Sequence, residues 1–194
     1  MQRSQKRVMT TRTLVYSALL AALSVVLARI FGMMPDESSR FSIEAVPIFL
    51  AGMLCGPLAG ALVGFTADFV GCLFTPFGYN PIFCLPPILY GLCGGLLRHF
   101  LSKGVNLPRL AVSFLPPVLF GSVLYQSAAL AAVYFKDNFI EGLILKLTTR
   151  SVQFAVVYAL DVLIIYLLFR SNIFTRLGIW PPVKKERNTN PNER

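Results

Sequence analysis

The chain has 194 residues, of which 55% are hydrophobic and 14% charged, and its mean hydropathy is +0.64. An ordinary soluble domain is about 45–50% apolar and about 25% charged, so this balance argues against a soluble enzyme, and a disordered chain would show the opposite bias. The net charge of +9 would suggest nucleic acid in a soluble protein, but in a membrane protein it first reports topology.

A membrane-crossing helix needs about 20 mostly apolar residues. Six segments read as such helices, at 14–31, 45–56, 57–74, 81–101, 110–135 and 147–169. The second is short and meets the third at Cys55-Gly56-Pro57, where glycine and proline punctuate helices. Six spans leave no room for a soluble domain. With the N-terminus inside, thirteen of the 18 Lys and Arg residues fall on inner segments and five on outer ones. That bias puts both termini in the cytoplasm. The expected fold is an all-α membrane protein, a compact bundle of six transmembrane helices. Residues 1–12 form a basic cytoplasmic N-terminus, 13–172 the membrane domain, and 173–194 a cytoplasmic tail read as largely disordered. The first apolar run is longer than the core of a cleaved signal peptide, so it is read as a retained helix. The membrane topology accounts for the basic residues without nucleic acid.

Small residues recur at helical spacing. Ser17 with Ala21, and Ala18 with Ala22, make a smooth stripe on the first helix; Gly56, Gly60 and Gly64 lead to Asp68 on the third; the fourth carries Gly91, Gly94 and Gly95. Such stripes let helices approach closely in lipid. They suit either packing inside the bundle or a docking face for another membrane subunit, and the first-helix stripe is the better docking face.

Between positions 41 and 97 the only charged residues are Glu44 and Asp68. A carboxylate deep in a span costs roughly 2.5–3.5 kcal/mol on insertion scales. Three roles suit Asp68: bonding a ligand, pairing with an arginine, or capping irregular backbone. Asp161, nearer the cytoplasmic half of the sixth helix, reads as structural or partner-facing. The outer side is richer. Arg29 ends the first helix, Arg40 precedes the second, Lys146 and Arg150 begin the sixth, and Gln126 and Gln153 lie inside apolar runs. Phe77, Tyr79 and Phe83 populate the third-to-fourth connection. Together they suit a flat aromatic ligand with an anionic end. Taken singly, each has a plainer reading, as interfacial aromatics or snorkelling cations.

No phosphate-binding glycine loop is present, so the chain carries no ATP site of that type. His99 is the only histidine. The four cysteines show neither a zinc pattern nor a redox pair. No metal site, cofactor site or catalytic set is legible, and the chain is read as not an enzyme.

Ser17-Ala18-Leu19-Leu20-Ala21-Ala22-Leu23 resembles the Ala-x-x-x-Ala first-helix motif of the S components of energy-coupling factor (ECF) transporters. Val46-Pro47-Ile48-Phe49-Leu50-Ala51-Gly52, Gly56-Pro57, Gly60-Ala61-Leu62-Val63-Gly64 and Ala67-Asp68-Phe69-Val70-Gly71 resemble the folate-specific branch of that family. One stretch departs: folate-branch members often carry a Pro-Gly-Phe-Thr-like loop before the fourth helix, where this chain reads Tyr79-Asn80-Pro81-Ile82-Phe83.

The resemblance implies high-affinity vitamin capture from outside, folate first, at the cell membrane. It implies docking through Ser17, Ala18, Ala21 and Ala22 on a transmembrane coupling subunit served by two ATPases. ATP hydrolysis there would topple the S component and release the vitamin inside. Arg29 would pair with a ligand carboxylate or pterin oxygen, and Asp68 would accept from a pterin-like amino group or orient the pocket. Phe77, Tyr79 and Phe83 would stack or close the site. Gln126 and Gln153 would bond the ring edge, and Arg40 and Arg150 would attract the glutamate tail. The competing readings are an S component for thiamin, riboflavin or pantothenate, a membrane assembly protein, and a small enzyme acting on lipid.

Overall fold

Glycine and proline cut the apolar runs into the elements that form. The fold, a computed structural model, describes residues 11–30, 33–36, 39–41, 43–74, 79–135, 138–176 and 178–180, with Ile30 and the segment 33–41 described by backbone alone. Helix α1 (Thr11–Ile30) leads into a short antiparallel hairpin, β1 (Met33–Asp36) and β2 (Ser39–Phe41). Then follow α2 (Ala45–Cys55), α3 (Pro57–Leu73), a 3-10 turn (Pro81–Cys84), α4 (Leu85–Leu96) and the short α5 (Arg98–Ser102). Helix α6 (Leu107–Pro116) passes through a π-helical stretch (Pro117–Tyr125) into α7 (Gln126–Tyr134); α8 (Phe139–Arg170) and the turn α9 (Ile173–Arg176) close the chain. Among the described residues the regular structure is thus helical apart from one hairpin, which the six-helix expectation does not contain.

Three helical stretches are long and apolar enough to cross a membrane: Thr11–Arg29, Leu107–Tyr134 and Phe139–Arg170. The remaining apolar helices are shorter. With 11 residues, α2 rises only about 16 Å, roughly half a bilayer core. Its C-terminal end lies beside the start of α1, where the Cys55 thiol faces the Thr13 carbonyl at 3.9 Å. Its first turn therefore stops midway, and the Ser24 hydroxyl of α1 meets the Glu44 carbonyl there at 2.9 Å. The break between α2 and α3 is local chemistry. Gly56 takes φ 105°, a backbone that side chains other than glycine's rarely adopt, and Pro57 at the first position of α3 has no N–H to continue the ladder.

Helices α2, α3 and α4 approach backbone to backbone. A methyl built on Gly52 or Gly60 would overlap the Gly91 carbonyl, and one on Gly64 would overlap the Pro87 carbonyl. The glycine stripes of α3 and α4 are therefore spent on packing inside the bundle. The core continues through Phe114, buried between Phe49 of α2 (4.9 Å), Tyr90 of α4 (5.3 Å) and Tyr158 of α8 (6.2 Å). Beyond α8 the tail folds back, and the Trp180 ring packs edge-on against Phe169 at 5.5 Å. Residues 181–194 lie outside the described residues.

Candidate functional site

The half-length of α2 leaves space at the hairpin end of the bundle. There a cavity of about 60 Å³ is walled by α1 (Ser24, Ala28, Arg29), the start of α2 (Glu44, Ile48), α3 (Ala67, Asp68, Gly71, Cys72) and Pro87 of α4. Its charge is mixed: one guanidinium and two carboxylates face a small apolar chamber. Arg29 is fixed by donating from Nη2 to the Gly71 carbonyl. Asp68 lies in hydrogen-bonding reach of the Cys84 thiol, which also meets the Tyr79 hydroxyl. That thiol contact, with desolvation second, raises the Tyr79 hydroxyl from 10.0 to about 12. A chamber with adjacent acceptors and a cation can grip a planar ring whose edge alternates donors and acceptors.

A second polar group lies on the other helices. Arg150 of α8 is only 4% exposed. It donates from Nε to the Ser122 carbonyl (3.3 Å) and from Nη2 to Gln126 Oε1 (2.8 Å), and its guanidinium lies 4.9 Å from the Phe154 ring centre. Ser122 in turn shares a 2.9 Å hydroxyl bond with Tyr90. Tyr90 is within electrostatic reach of both Arg150 and Glu44, and it follows Pro87 by one turn of α4. Glu44 and Pro87 wall the cavity, whereas Tyr90, Ser122 and Arg150 do not.

Among the expected site residues, the structure brings Arg29 and Asp68 to one cavity and Gln126 to Arg150. Gln153 is buried one turn after Arg150 on α8. Tyr79 is exposed, with its ring edge-on to Phe69 at 5.2 Å, and Phe83 is half-buried; neither lines the cavity. Phe77 lies outside the described residues, and Arg40 is described by its β2 backbone alone. Glu44, Ser24, Tyr90 and Ser122 were not assigned from sequence. Glu44 had a signal as the other charge in a long neutral stretch; the rest are ordinary residues in apolar runs. Asp161, expected to be structural or partner-facing, is 1% exposed and faces the interior.

The first-helix stripe divides. Ser17 is buried and Ala21 half-buried against the core, whereas Ala18 and Ala22 point outward beside exposed Leu14, Leu19 and Leu23. One pair packs the bundle and the other leaves a smooth outer face.

Residues 12–179 match the family model described as ECF transporter, substrate-specific component. The chain is similar to the folate transporter FolT of Clostridium novyi (strain NT), 29% identical over 101 residues, spanning 52% of this chain and 57% of that protein. The chain thus aligns with little more than half the length of this relative. The crystal structure of FolT bound with folic acid superposes with a TM-score of 0.69 at 22% identity, covering 84% of this chain and 95% of that one. The S component for biotin from an ECF-type ABC transporter superposes at 0.53 and 21% identity, covering 88% and 95%. At these identities the two structures establish a shared fold.

Proposed function

Because the chain belongs to the ECF transporter substrate-specific component family, we propose that it captures folate from outside the cell and delivers it to an ATP-driven module. As a substrate-specific component it is a transport protein and not an enzyme. The observation that carries the ligand reading is the mixed-charge cavity of Arg29, Glu44 and Asp68. A pterin edge presents an amino group and ring N–H beside a carbonyl oxygen. A carboxylate accepts from the first two, and a guanidinium donates to the third. Arg150, with Arg40, attracts the glutamate carboxylates, and Gln126 and Gln153 bond neutral polar atoms between. The cavity volume is below the roughly 300–1,000 Å³ of small-molecule pockets, so a whole folate enters only as the walls at the hairpin end separate. The resemblance to the folate transporter of Clostridium novyi supports this reading.

In this reading both termini are cytoplasmic and the protein resides in the plasma membrane. Docking on the transmembrane coupling subunit, itself driven by two ATPases, uses the outward face of Ala18 and Ala22. Small side chains there let a partner helix approach closely. The test is purification in mild detergent, denaturation, and mass spectrometry of the released small molecule. Stoichiometric folate or a reduced folate supports the reading. A different vitamin keeps the transport role and removes the carboxylate role of Arg150. A preparation that is empty and also fails to bind added folic acid overturns the folate reading.

A further inference from the structure

We infer that Cys84 is a positioning residue: its thiol, braced by the Tyr79 hydroxyl, holds the Asp68 carboxylate to read the donor edge of the ligand. This rests on the folate reading. Helices α3 and α4 run antiparallel at backbone contact, Gly60 against Gly91 and Gly64 against Pro87. Asp68 follows Gly64 by one turn, and Cys84 precedes Pro87 by three residues. The same register therefore carries the two side chains to each other. The 3-10 turn ahead of α4 fixes the thiol end. Asn80 caps that turn, its Oδ1 accepting from the Ile82 N–H at 3.1 Å, and Pro81 presets the backbone of its first residue. Cys84 ends the turn buried, in hydrogen-bonding reach of both the Asp68 carboxylate and the Tyr79 hydroxyl.

The direction of each bond follows from the atoms. A carboxylate only accepts, and a thiol has one proton to give. The Cys84 S–H therefore donates to Asp68, and its sulfur accepts from the Tyr79 O–H. The chain Tyr79–Cys84–Asp68 runs from an exposed ring, set edge-on to Phe69 at 5.2 Å, to the wall of the cavity. A thiol is a weak donor, but a charged acceptor strengthens its bond. That bond sets the plane of the carboxylate and takes one of its roughly four acceptor sites. The carboxylate can therefore also accept from a ligand amino group. Glycine packing fixes the backbone of Asp68, and Cys84 turns its side chain.

The experiment compares folic acid with the analogue in which a methyl replaces the 2-amino group, by calorimetric titration of detergent-purified protein. Cys84→Ala should weaken folic acid about three- to tenfold and the analogue by less than about twofold. Cys84→Ser returns a donor and should bring folic acid back to within about twofold of wild type. In an Asp68→Asn background, Cys84→Ala should change neither ligand by more than about twofold. Thermal stability is recorded alongside, and Cys84→Val, which fills the space without a donor, serves where Cys84→Ala folds poorly. Equal losses for both ligands, no loss, or a serine variant as weak as the alanine one overturns the inference and leaves the folate reading standing. So does wild type that binds the two compounds equally. Wild type that binds neither overturns the folate reading and this inference with it.

Discussion

Helices α2 to α4 and helices α6 to α8 solve the same problem in different ways. The first three touch through glycine backbones, where a single added methyl has nowhere to go. The others meet through hydrogen-bonded side chains, Arg150 with Gln126 and the Ser122 carbonyl, and Tyr158 with the Ala111 carbonyl at 2.9 Å. Close-packed backbone has no spare rotamers and holds its shape. Side-chain hydrogen bonds can be remade with another partner at modest net cost. Of the charged residues proposed to meet the ligand, Asp68 stands on the rigid unit and Arg150 on the half that can adapt.

The sharpest way to break that contrast is to fill the glycine contact. Gly91→Leu should cost at least about 3 kcal/mol through overpacking and abolish a monodisperse peak in detergent gel filtration. A well-behaved, equally heat-stable variant would show that the unit is not held by backbone contact. Arg150→Ala comes next, with about 2–3 kcal/mol of stability lost as the Ser122 and Gln126 acceptors lose their donor. Its thermal unfolding should fall well below wild type, and Arg150→Lys should recover part of it, because lysine restores charge without the planar fork. Asp68→Asn sharpens the comparison from the rigid side. It should weaken folic acid about ten- to a hundredfold with unfolding temperature preserved, and calorimetry showing unchanged affinity would remove Asp68 from the site. The smallest expected effect on binding is that of Ala18→Trp. Affinity should stay within about twofold because Ala18 faces outward, while uptake of labelled folate by cells carrying the ATPase module is lost.

Much of this was legible where chemistry is local. The α2–α3 break follows from Gly56-Pro57, and Arg29 stands out as a charge at the end of an apolar helix and Asp68 as one inside another. The π-helical stretch has no signature in the pattern: an unbroken apolar run from 110 to 135 reads as one ordinary span. Glu44 was noticed but not placed, because its position depends on α2 ending half-way through the bundle. Asp161 was expected to be structural or to face a partner, and it faces inward. On a 32-residue helix that is apolar nearly all round, periodicity does not say which side is inside. The β1–β2 hairpin depends on pairing between two strands too short to show an alternating pattern.

Trp180 has a consequence for spectroscopy. It is the chain's only tryptophan, and its ring is packed beside Phe169 and near Phe174 at the end of the bundle away from the cavity. Its emission therefore comes from one known place. A change in emission on adding a vitamin would report energy transfer over the length of the bundle, or release of the folded-back tail, and never a ring stacked on the fluorophore. Intensity and wavelength separate the two: transfer dims the emission without moving it, and release of the tail shifts it to the red.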